Sequence, residues 1–326
     1  MDLIILGSSA AIPIRERNLP SIALRYRNEI FIFDCGEDLQ RRMAEAGIKF
    51  NKPLKILISH FHGDHIIGLP GLLFRFGLIG RTAPLTIIGP KGLFLYLFLH
   101  AKILGLKAEY PLKIIEIEVK NNNLLVYKGF VSNDSWEEIE INDNIILETK
   151  RYFLKFTIVE HSVLTFGYSF EEKPRPGKFN PERAKELGIP ESYLWKLMHE
   201  GKTIKFKGRL IDPLKEGIVG PSRPGRKIVY SGDTGPCENL VKLGKDADVL
   251  IHEATFSSDL EDVAREKKHS TSIDAANIAK EMNAKKLILT HISSRYQEDA
   301  QKLLDDAKKV FPNTILAEDL MKISIK

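Results

Sequence analysis

A chain that reads His-x-His-x-Asp-His at residues 60–65 has little freedom in how that segment is used. The segment, Ser59-His60-Phe61-His62-Gly63-Asp64-His65, follows the apolar run Leu54-Lys55-Ile56-Leu57-Ile58. Such a run reads as a buried strand, and the polar residues after it as a strand-end loop. Neutral imidazoles and an ionised aspartate are good ligands for Zn²⁺ and similar ions. Four donors from one turn exceed what a single site with an open position takes from one loop. The segment therefore reads as half of a two-metal site. Chance histidines in a polar loop are a weak rival, because 9 His in 326 residues seldom place three within six.

A His-x-His-x-Asp-His segment after a buried strand resembles the signature of the metallo-β-lactamase-fold hydrolases. That superfamily includes nucleases, thioesterases and lactonases, so the motif implies a chemistry and leaves the substrate to the rest of the chain. At 326 residues, with 43% hydrophobic and 28% charged content, the chain has an ample core. No apolar run approaches the ~20 residues of a membrane span. The first residues, Met1-Asp2-Leu3-Ile4-Ile5-Leu6-Gly7, lack a basic start and a small-residue cleavage site, so a cytoplasmic location is expected. Cys35 and Cys237 are the only cysteines, which suits a reducing compartment without structural disulfides.

In chain order, residues 2–6 read as a strand ending in Gly7-Ser8-Ser9-Ala10. Residues 13–20 carry prolines at both ends and read as an exposed loop, whose Arg15 and Arg17 suit phosphates or bases, although on charge alone a solvated loop is the favoured explanation. Residues 22–26 and 30–33 read as a strand pair. Asp34-Cys35-Gly36-Glu37 is expected to open a helix running to Ala46, with Asp34 and Cys35 supporting the site from a strand end. Residues 92–104 read as a buried helix with an apolar stripe, and His100 in it as structural. His161, Asp233, Glu253 and His291 each follow or end a further apolar strand. His269 sits in a polar loop before the helix expected at 273–282. A helix over 297–310 and a strand over 315–317 complete the fold.

Residues 171–212 differ from the rest. They open Glu-Glu-Lys-Pro-Arg-Pro-Gly-Lys, a hinge composition. Asn180-Pro181-Glu182 is a helix start with an N-cap and Pro at the first helical position. From residue 173 to 209 there are ten Lys or Arg against four Glu, whereas the whole chain nets +5, so the positive charge is concentrated here. Lys196 and Lys202 lie in it, as do Phe179, Tyr193, Trp195 and Phe206. Basic charge interleaved with aromatics suits a phosphate backbone, and a solvated subdomain or dimer contact explains it equally well on composition alone.

Loops that follow strands converge on one rim in open sheets. Two metals need about seven protein ligands plus water. His60, His62 and His161 would take one ion, and Asp64, His65 and His291 the other. Asp233 would bridge, because a carboxylate has two oxygens and an imidazole one free lone pair. Glu253 and His269 remain for proton transfer.

The order of these pieces resembles the tRNA 3′-end processing endonucleases of the ribonuclease Z family over nearly the whole chain. Pro13-Ile14-Arg15-Glu16-Arg17-Asn18 is similar to that family's P-x-K-x-R-N loop, with Arg15 in the Lys place. His252-Glu253-Ala254-Thr255-Phe256, His269-Ser270-Thr271 and Thr290-His291-Ile292-Ser293-Ser294-Arg295-Tyr296 follow in the family's order. The resemblance implies an α/β fold, the four-layer αββα sandwich, as a single catalytic domain over 1–326 with a tRNA-binding arm inserted at 171–212. It implies two Zn²⁺ per subunit, with Mn²⁺ as an alternative, and a homodimer acting on precursor tRNA. Arg15, Arg17, Asn18, Ser270, Thr271, Ser293, Arg295, Lys196 and Lys202 are its expected RNA contacts. The arm reads Gly188-Ile189-Pro190-Glu191-Ser192-Tyr193 where many bacterial members carry G-x-P-x-G-P, and so is closer to archaeal-type members. The expected reaction is hydrolysis, with Asp64 orienting the water or taking its proton and His269, oriented by Glu253, protonating the leaving 3′-oxygen. Two other readings stand beside it: a small-molecule ester, lactone or phosphodiester hydrolase of the same fold, and an RNA-binding protein without turnover.

Overall fold

The computed structural model describes residues 1–130 and 136–325. The chain divides into two compact units. One comprises Met1–Leu147, Leu154–Phe170 and Lys227–Lys326, the other Glu148–Phe153 and Glu171–Arg226. The first eight strands are β1 (Asp2–Gly7), β2 (Ser21–Tyr26), β3 (Glu29–Phe33), β4 (Leu54–Leu57), β5 (Leu85–Pro90), β6 (Leu112–Glu118), β7 (Asn123–Lys128) and β8 (Trp136–Glu140). The rest are β9 (Ile145–Glu148), β10 (Tyr152–Val159), β11 (Thr165–Glu172), β12 (Ile204–Phe206), β13 (Arg209–Ile211), β14 (Lys227–Tyr230), β15 (Val249–Glu253), β16 (Leu287–Thr290), β17 (Thr314–Leu316) and β18 (Lys322–Ser324).

Among the described residues these form a nine-stranded sheet, β18-β1-β2-β3-β4-β5-β6-β7-β8, and a seven-stranded sheet, β17-β16-β15-β14-β11-β10-β9. Strands β3 to β6 run parallel, as do β14 to β17. Strand alternation sorts the side chains by face. Ile30 and Ile32 join a core with Leu39, Leu69, Leu73 and Leu97 from helices Leu39–Glu45, Gly68–Leu78 and Leu93–Leu104. Phe31 and Phe33 point the other way, to Phe170 at 5.1 Å and Tyr230 at 5.4 Å on the second sheet. Each such buried ring contributes about 1.5–3 kcal/mol. Leu250, Leu287 and Leu289 pack with Leu240, Ala276 and Leu303 of helices Glu238–Gly244, Ser272–Glu281 and Gln301–Val310. Helices, sheet, sheet and helices give the αββα sandwich expected.

The first helix starts at Leu39, later than the expected opening at residues 34–37. Asp34 and Asp38 adopt left-handed φ of 57° and 64°. The backbone between them bonds elsewhere: Cys35 N–H to His65 O at 2.7 Å and Gly36 N–H to Pro20 O at 3.1 Å. A Cβ on Gly68 would lie 1.9 Å from Gly36 O, so this crossing requires glycine. The C-terminal helix likewise begins at Gln301 and not at 297, residues Ser294–Tyr296 forming a 3₁₀ turn. Strand β18, absent from the sequence reading, pairs with β1.

The second unit is small and has its own core of Ala184, Ile189, Met198, Ile204, Ile211 and Ile218. Asn180 caps helix Pro181–Glu186 by accepting the Arg183 N–H at 3.1 Å. Helix Tyr193–His199 follows, and Trp195 Nε1–H donates to Ile189 O at 3.1 Å, closing the turn that begins at Gly188. Strands β12 and β13 form a hairpin about Lys207 and Gly208, both with positive φ as a tight hairpin turn demands. Arg175 and Arg223 exchange both backbone hydrogen bonds at 2.9 Å where the chain enters and leaves. Phe179, Trp195 and Phe206 pack on this core, which leaves Tyr193 as the exposed aromatic of the four singled out in the sequence.

Candidate metal centre

In the first unit, β4, β10, β14, β15 and β16 end beside one another's loops and deliver the site. His60 and His62 follow β4, and Asp64 and His65 begin a short helix, Gly63–Ile66. His161 follows β10, Asp233 follows β14, Glu253 ends β15 and His291 follows β16. The ligand atoms of His60, His62, His161 and Asp233 lie within 4.8 Å of one another. Those of Asp64, His65 and His291 do the same, as do those of Asp233, His269 and His291.

Asp233 sits at the centre. Its Oδ2 is 3.3 Å from His65 Nε2, 3.3 Å from His291 Nε2, 3.7 Å from His60 Nε2 and 4.0 Å from His161 Nε2. Asp64 Oδ2 is 3.5 Å from His65 Nε2 and from His291 Nε2, and it accepts the Ala11 N–H at 2.9 Å. His62 Nδ1 and His161 Nε2 face each other at 3.2 Å.

This donor set fits divalent cations. His60 Nε2, His65 Nε2 and His291 Nε2 are buried without a hydrogen-bond partner, a costly state unless something else takes their lone pairs. Burial and the neighbouring His65 push the His60 imidazole down to about 2, so it is neutral and ready to ligate. Burial lowers His161 too. Burial alone would raise Asp233, but His291 and His65 hold its carboxyl well below the usual range. Against its burial, Asp233 and Asp34 hold the His65 proton well above the ordinary value, so a cation must displace a proton there.

Hydrogen bonds fix four of the rings. Lys268 O accepts from His161 Nδ1 at 3.0 Å. Asp34 Oδ2 lies 2.7 Å from His65 Nδ1, in keeping with the supporting part expected of it. His269 Nδ1 is 2.7 Å from Glu253 Oε1. Against the lowering effect of burial, that carboxylate raises His269 to about 9. Thr255 Oγ1 donates to Glu253 Oε2 at 2.6 Å and meets His291 Nδ1 at 2.8 Å. Thr234 N–H donates to Glu253 Oε1 at 2.7 Å. The sequence reading did not single out Ser59, Tyr230, Thr234 or Thr255; the last sat in plain view beside Glu253 in His-Glu-Ala-Thr.

The expected RNA contacts divide into outward and inward residues. Arg15 is exposed. Arg17 turns inward instead, donating to Ser8 Oγ at 2.7 Å and to Ala317 O, and Asn18 N–H donates to Asp319 Oδ2 at 2.7 Å. Ser270 and Thr271 are buried and are not surface contacts. Ser270 Oγ donates to Thr234 O at 2.6 Å, and Thr271 forms a capping box with Asp274. Ser293 and Arg295 line an open cavity of about 390 Å³ with Ile12, Phe256, His269 and His291. Arg295 lies over the Phe256 ring at 5.5 Å. In the second unit Lys196 and Lys202 are exposed, Lys202 pairing with Glu200 at 2.9 Å. Among the described residues no helix is long and apolar enough to cross a membrane.

Comparison with known proteins adds a second line. The family model for the anti-Pycsar protein Apyc1 matches residues 1–107, and that for the β-lactamase superfamily domain matches residues 217–292. Ribonuclease Z of Methanosarcina mazei is 39% identical over 327 residues, covering 100% of this chain and 98% of that protein. Ribonuclease Z of Methanothermobacter thermautotrophicus is 40% identical over 326 residues, covering 100% and 97%. The crystal structure of the short form of human tRNase Z superposes with a TM-score of 0.67 at 28% identity, covering 100% of both chains.

Proposed function

The chain belongs to the ribonuclease Z family and is an endoribonuclease, and from that premise we propose that it removes the 3′ trailer from precursor tRNA with two zinc ions. The observation that carries the two-cation reading is Asp233 Oδ2, within 3.3–4.0 Å of four imidazole nitrogens drawn from both ligand groups. His60, His62 and His161 would hold one ion, Asp64, His65 and His291 the other, and Asp233 both. Bound there, the ions supply Lewis acidity that makes water a nucleophile near neutral pH and offsets charge on the phosphoryl oxygens. A set rich in imidazole with two carboxylates favours Zn²⁺, and Mn²⁺ is accommodated by the same donors.

The chain's own residues carry the proton traffic. Asp64 accepts the proton of the attacking water. His269, protonated at neutral pH by virtue of Glu253, donates to the leaving 3′-oxygen. The products are a 3′-hydroxyl on the tRNA and a 5′-phosphate on the trailer. The ribose 2′-hydroxyl is not the nucleophile. Arg15, Ser293 and Arg295 would meet RNA near the cleavage point, and Lys196 and Lys202 its phosphates in the arm at 171–212. The second compact unit, which extends to Arg226, is the body of that arm. The enzyme would act in the cytoplasm as a homodimer. Helices Gly68–Leu78 and Leu93–Leu104 present exposed Phe74, Leu78, Leu99 and Ile103 for such a contact.

The test is to incubate the zinc-loaded protein with a 5′-labelled precursor tRNA bearing a 3′ trailer, beside an Asp64→Ala control. A single cut after the unpaired base that follows the acceptor stem, absent in the control, is the expected result. A 2′,3′-cyclic phosphate product overturns the hydrolytic route. Intact turnover of bis(p-nitrophenyl) phosphate without cleavage of any precursor returns the reading to a small-molecule hydrolase.

A further inference from the structure

We propose that Asp34 is the residue that fixes the ring protons of one histidine in each cation group: His65 directly, and His60 through the hydroxyl of Ser59. The inference rests on the two-cation reading above and concerns how the site is held ready.

Asp34 follows β3 with its backbone in the left-handed region, φ 57°. A non-glycine residue holds that conformation only where its surroundings compensate. Here the compensation is a carboxylate surrounded by donors. Oδ1 accepts the Ser59 N–H at 2.6 Å. Oδ2 accepts the Ser59 hydroxyl at 2.7 Å and the Tyr230 hydroxyl at 2.6 Å, and it lies 2.7 Å from His65 Nδ1. Asp34, Ser59, His60 and His65 are all fully buried, so no water competes for these bonds.

The consequence for the rings is one of donor counting. A carboxylate that receives these groups is an acceptor, so His65 must carry a proton on Nδ1. Nε2 is then the nitrogen whose lone pair a cation takes when it displaces the second proton, and it is Nε2 that points at Asp64 and Asp233. The Ser59 hydroxyl has one proton. It gives that proton to Asp34, so towards His60 Nδ1, 2.9 Å away, it can only accept. His60 is forced into the same tautomer, with a lone pair on Nε2, the atom left without a hydrogen-bond partner. One buried carboxylate therefore fixes both rings, although His60 belongs with His62 and His161, and His65 with Asp64 and His291.

The same device occurs a second time. Glu253 meets His269 Nδ1 directly and reaches His291 Nδ1 through the Thr255 hydroxyl. Two carboxylates, each with one imidazole held directly and one through a hydroxyl, account for four of the site's rings. The arrangement makes Asp34 a positioning residue and gives Ser59 a narrower part than Asp34.

The experiment measures zinc affinity by chelator competition on the full chain, for the wild type, Ser59→Ala and Asp34→Asn. Long-range ¹H–¹⁵N spectra of the zinc-loaded proteins read the Nδ1 protons of His60 and His65. Removing a partner behind a metal-ligating ring weakens binding about 10–100-fold. In Ser59→Ala one zinc is expected to weaken by about 10-fold while the other is unchanged, with only the His60 Nδ1 proton losing protection. In Asp34→Asn both ions weaken and both protons lose protection, because an amide cannot accept at both ends. Circular dichroism melting checks that each variant is folded, and the Ser59→Ala arm stands even if Asp34→Asn does not fold. Two tight ions in the wild type with equal losses, or none, at both sites in Ser59→Ala overturn the relay alone. A wild type that takes up fewer than two ions overturns the two-cation reading, and the relay with it.

Discussion

The two compact units spend the same kinds of side chain in opposite ways. In the first, His60, His65, Glu253 and His291 are buried, each held at hydrogen-bond length by a neighbouring side chain, and Asp233 is buried among them. In the second, Lys178, Lys185, Lys196, Lys202, Lys205 and Lys207 are all exposed, and its aromatics mostly serve a small core of their own. Burying ionisable groups is costly unless each is paired or ligates something, so a buried cluster has one workable geometry and suits chemistry at a point. Exposed lysines cost little and act collectively on a charged backbone, with no single residue decisive. The contrast teaches that mutation should fail steeply in one unit and gradually in the other.

The steepest failure is expected at Asp64, which approaches two imidazole nitrogens and is the proposed proton acceptor. Asp64→Ala should lower the rate of precursor cleavage by about 10³-fold or more. A loss under tenfold in single-turnover assays would break the contrast at its strongest point. Next comes Glu253→Gln, with a loss of about 10²-fold in turnover. The pH dependence sharpens it. Glu253 raises His269 from 6.5 to about 9, so the proton is kept through neutrality and lost as pH rises through about 9. The stability this pair contributes is fully present below 6.5 and is lost over the same alkaline rise. Removing the carboxylate should move the alkaline limb of the rate profile to lower pH, and a limb that stays put would take the acid role away from His269.

Smaller effects are expected in the second unit. Lys196→Ala with Lys202→Ala should raise KM for precursor tRNA severalfold and reduce the salt slope of binding by about two, roughly one per phosphate contact. Turnover of bis(p-nitrophenyl) phosphate should not change. If the small ester suffers equally, the division of labour between the units is wrong. Smallest of all, Asn180→Ala removes a helix cap and should cost about 1 kcal/mol of local stability. Hydrogen exchange within residues 181–186 would report it without a matching change in kcat.

Much of the first unit was legible because its donors follow strands, and apolar strands are easy to see. His60, His62, Asp64, His65, His161, Asp233 and His291 are all brought together. What was illegible depended on partners distant in sequence. Arg17 looks like a loop cation until Ala317 and Asp319 are placed beside it and its neighbour. Ser270 and Thr271 look like contacts in a polar loop until Thr234 and Asp274 claim their hydroxyls. The helix expected from residue 34 fails to start there because Asp34 has a different use, and no local propensity reveals that. In the second unit, the Asn180-Pro181 start was readable from local rules alone, whereas three of the four aromatics singled out in residues 171–212 turned inward.

Asp319 also has a bearing on how the molecule is made. Its carboxylate receives Ser8 Oγ, Asn18 N–H and Arg42 Nη2, groups 277 to 311 residues earlier in the chain. At about 5–20 residues per second, a ribosome reaches Asp319 roughly 15–60 s after it has finished the loop that Asp319 secures. During that interval the loop beside Ala11 and Asp64 lacks the bonds that Asp319 gives it. The nascent protein thus carries its metal-binding motif well before Asp319 can help to hold the loop against it, so synthesis order separates the appearance of the motif from the completion of its rim.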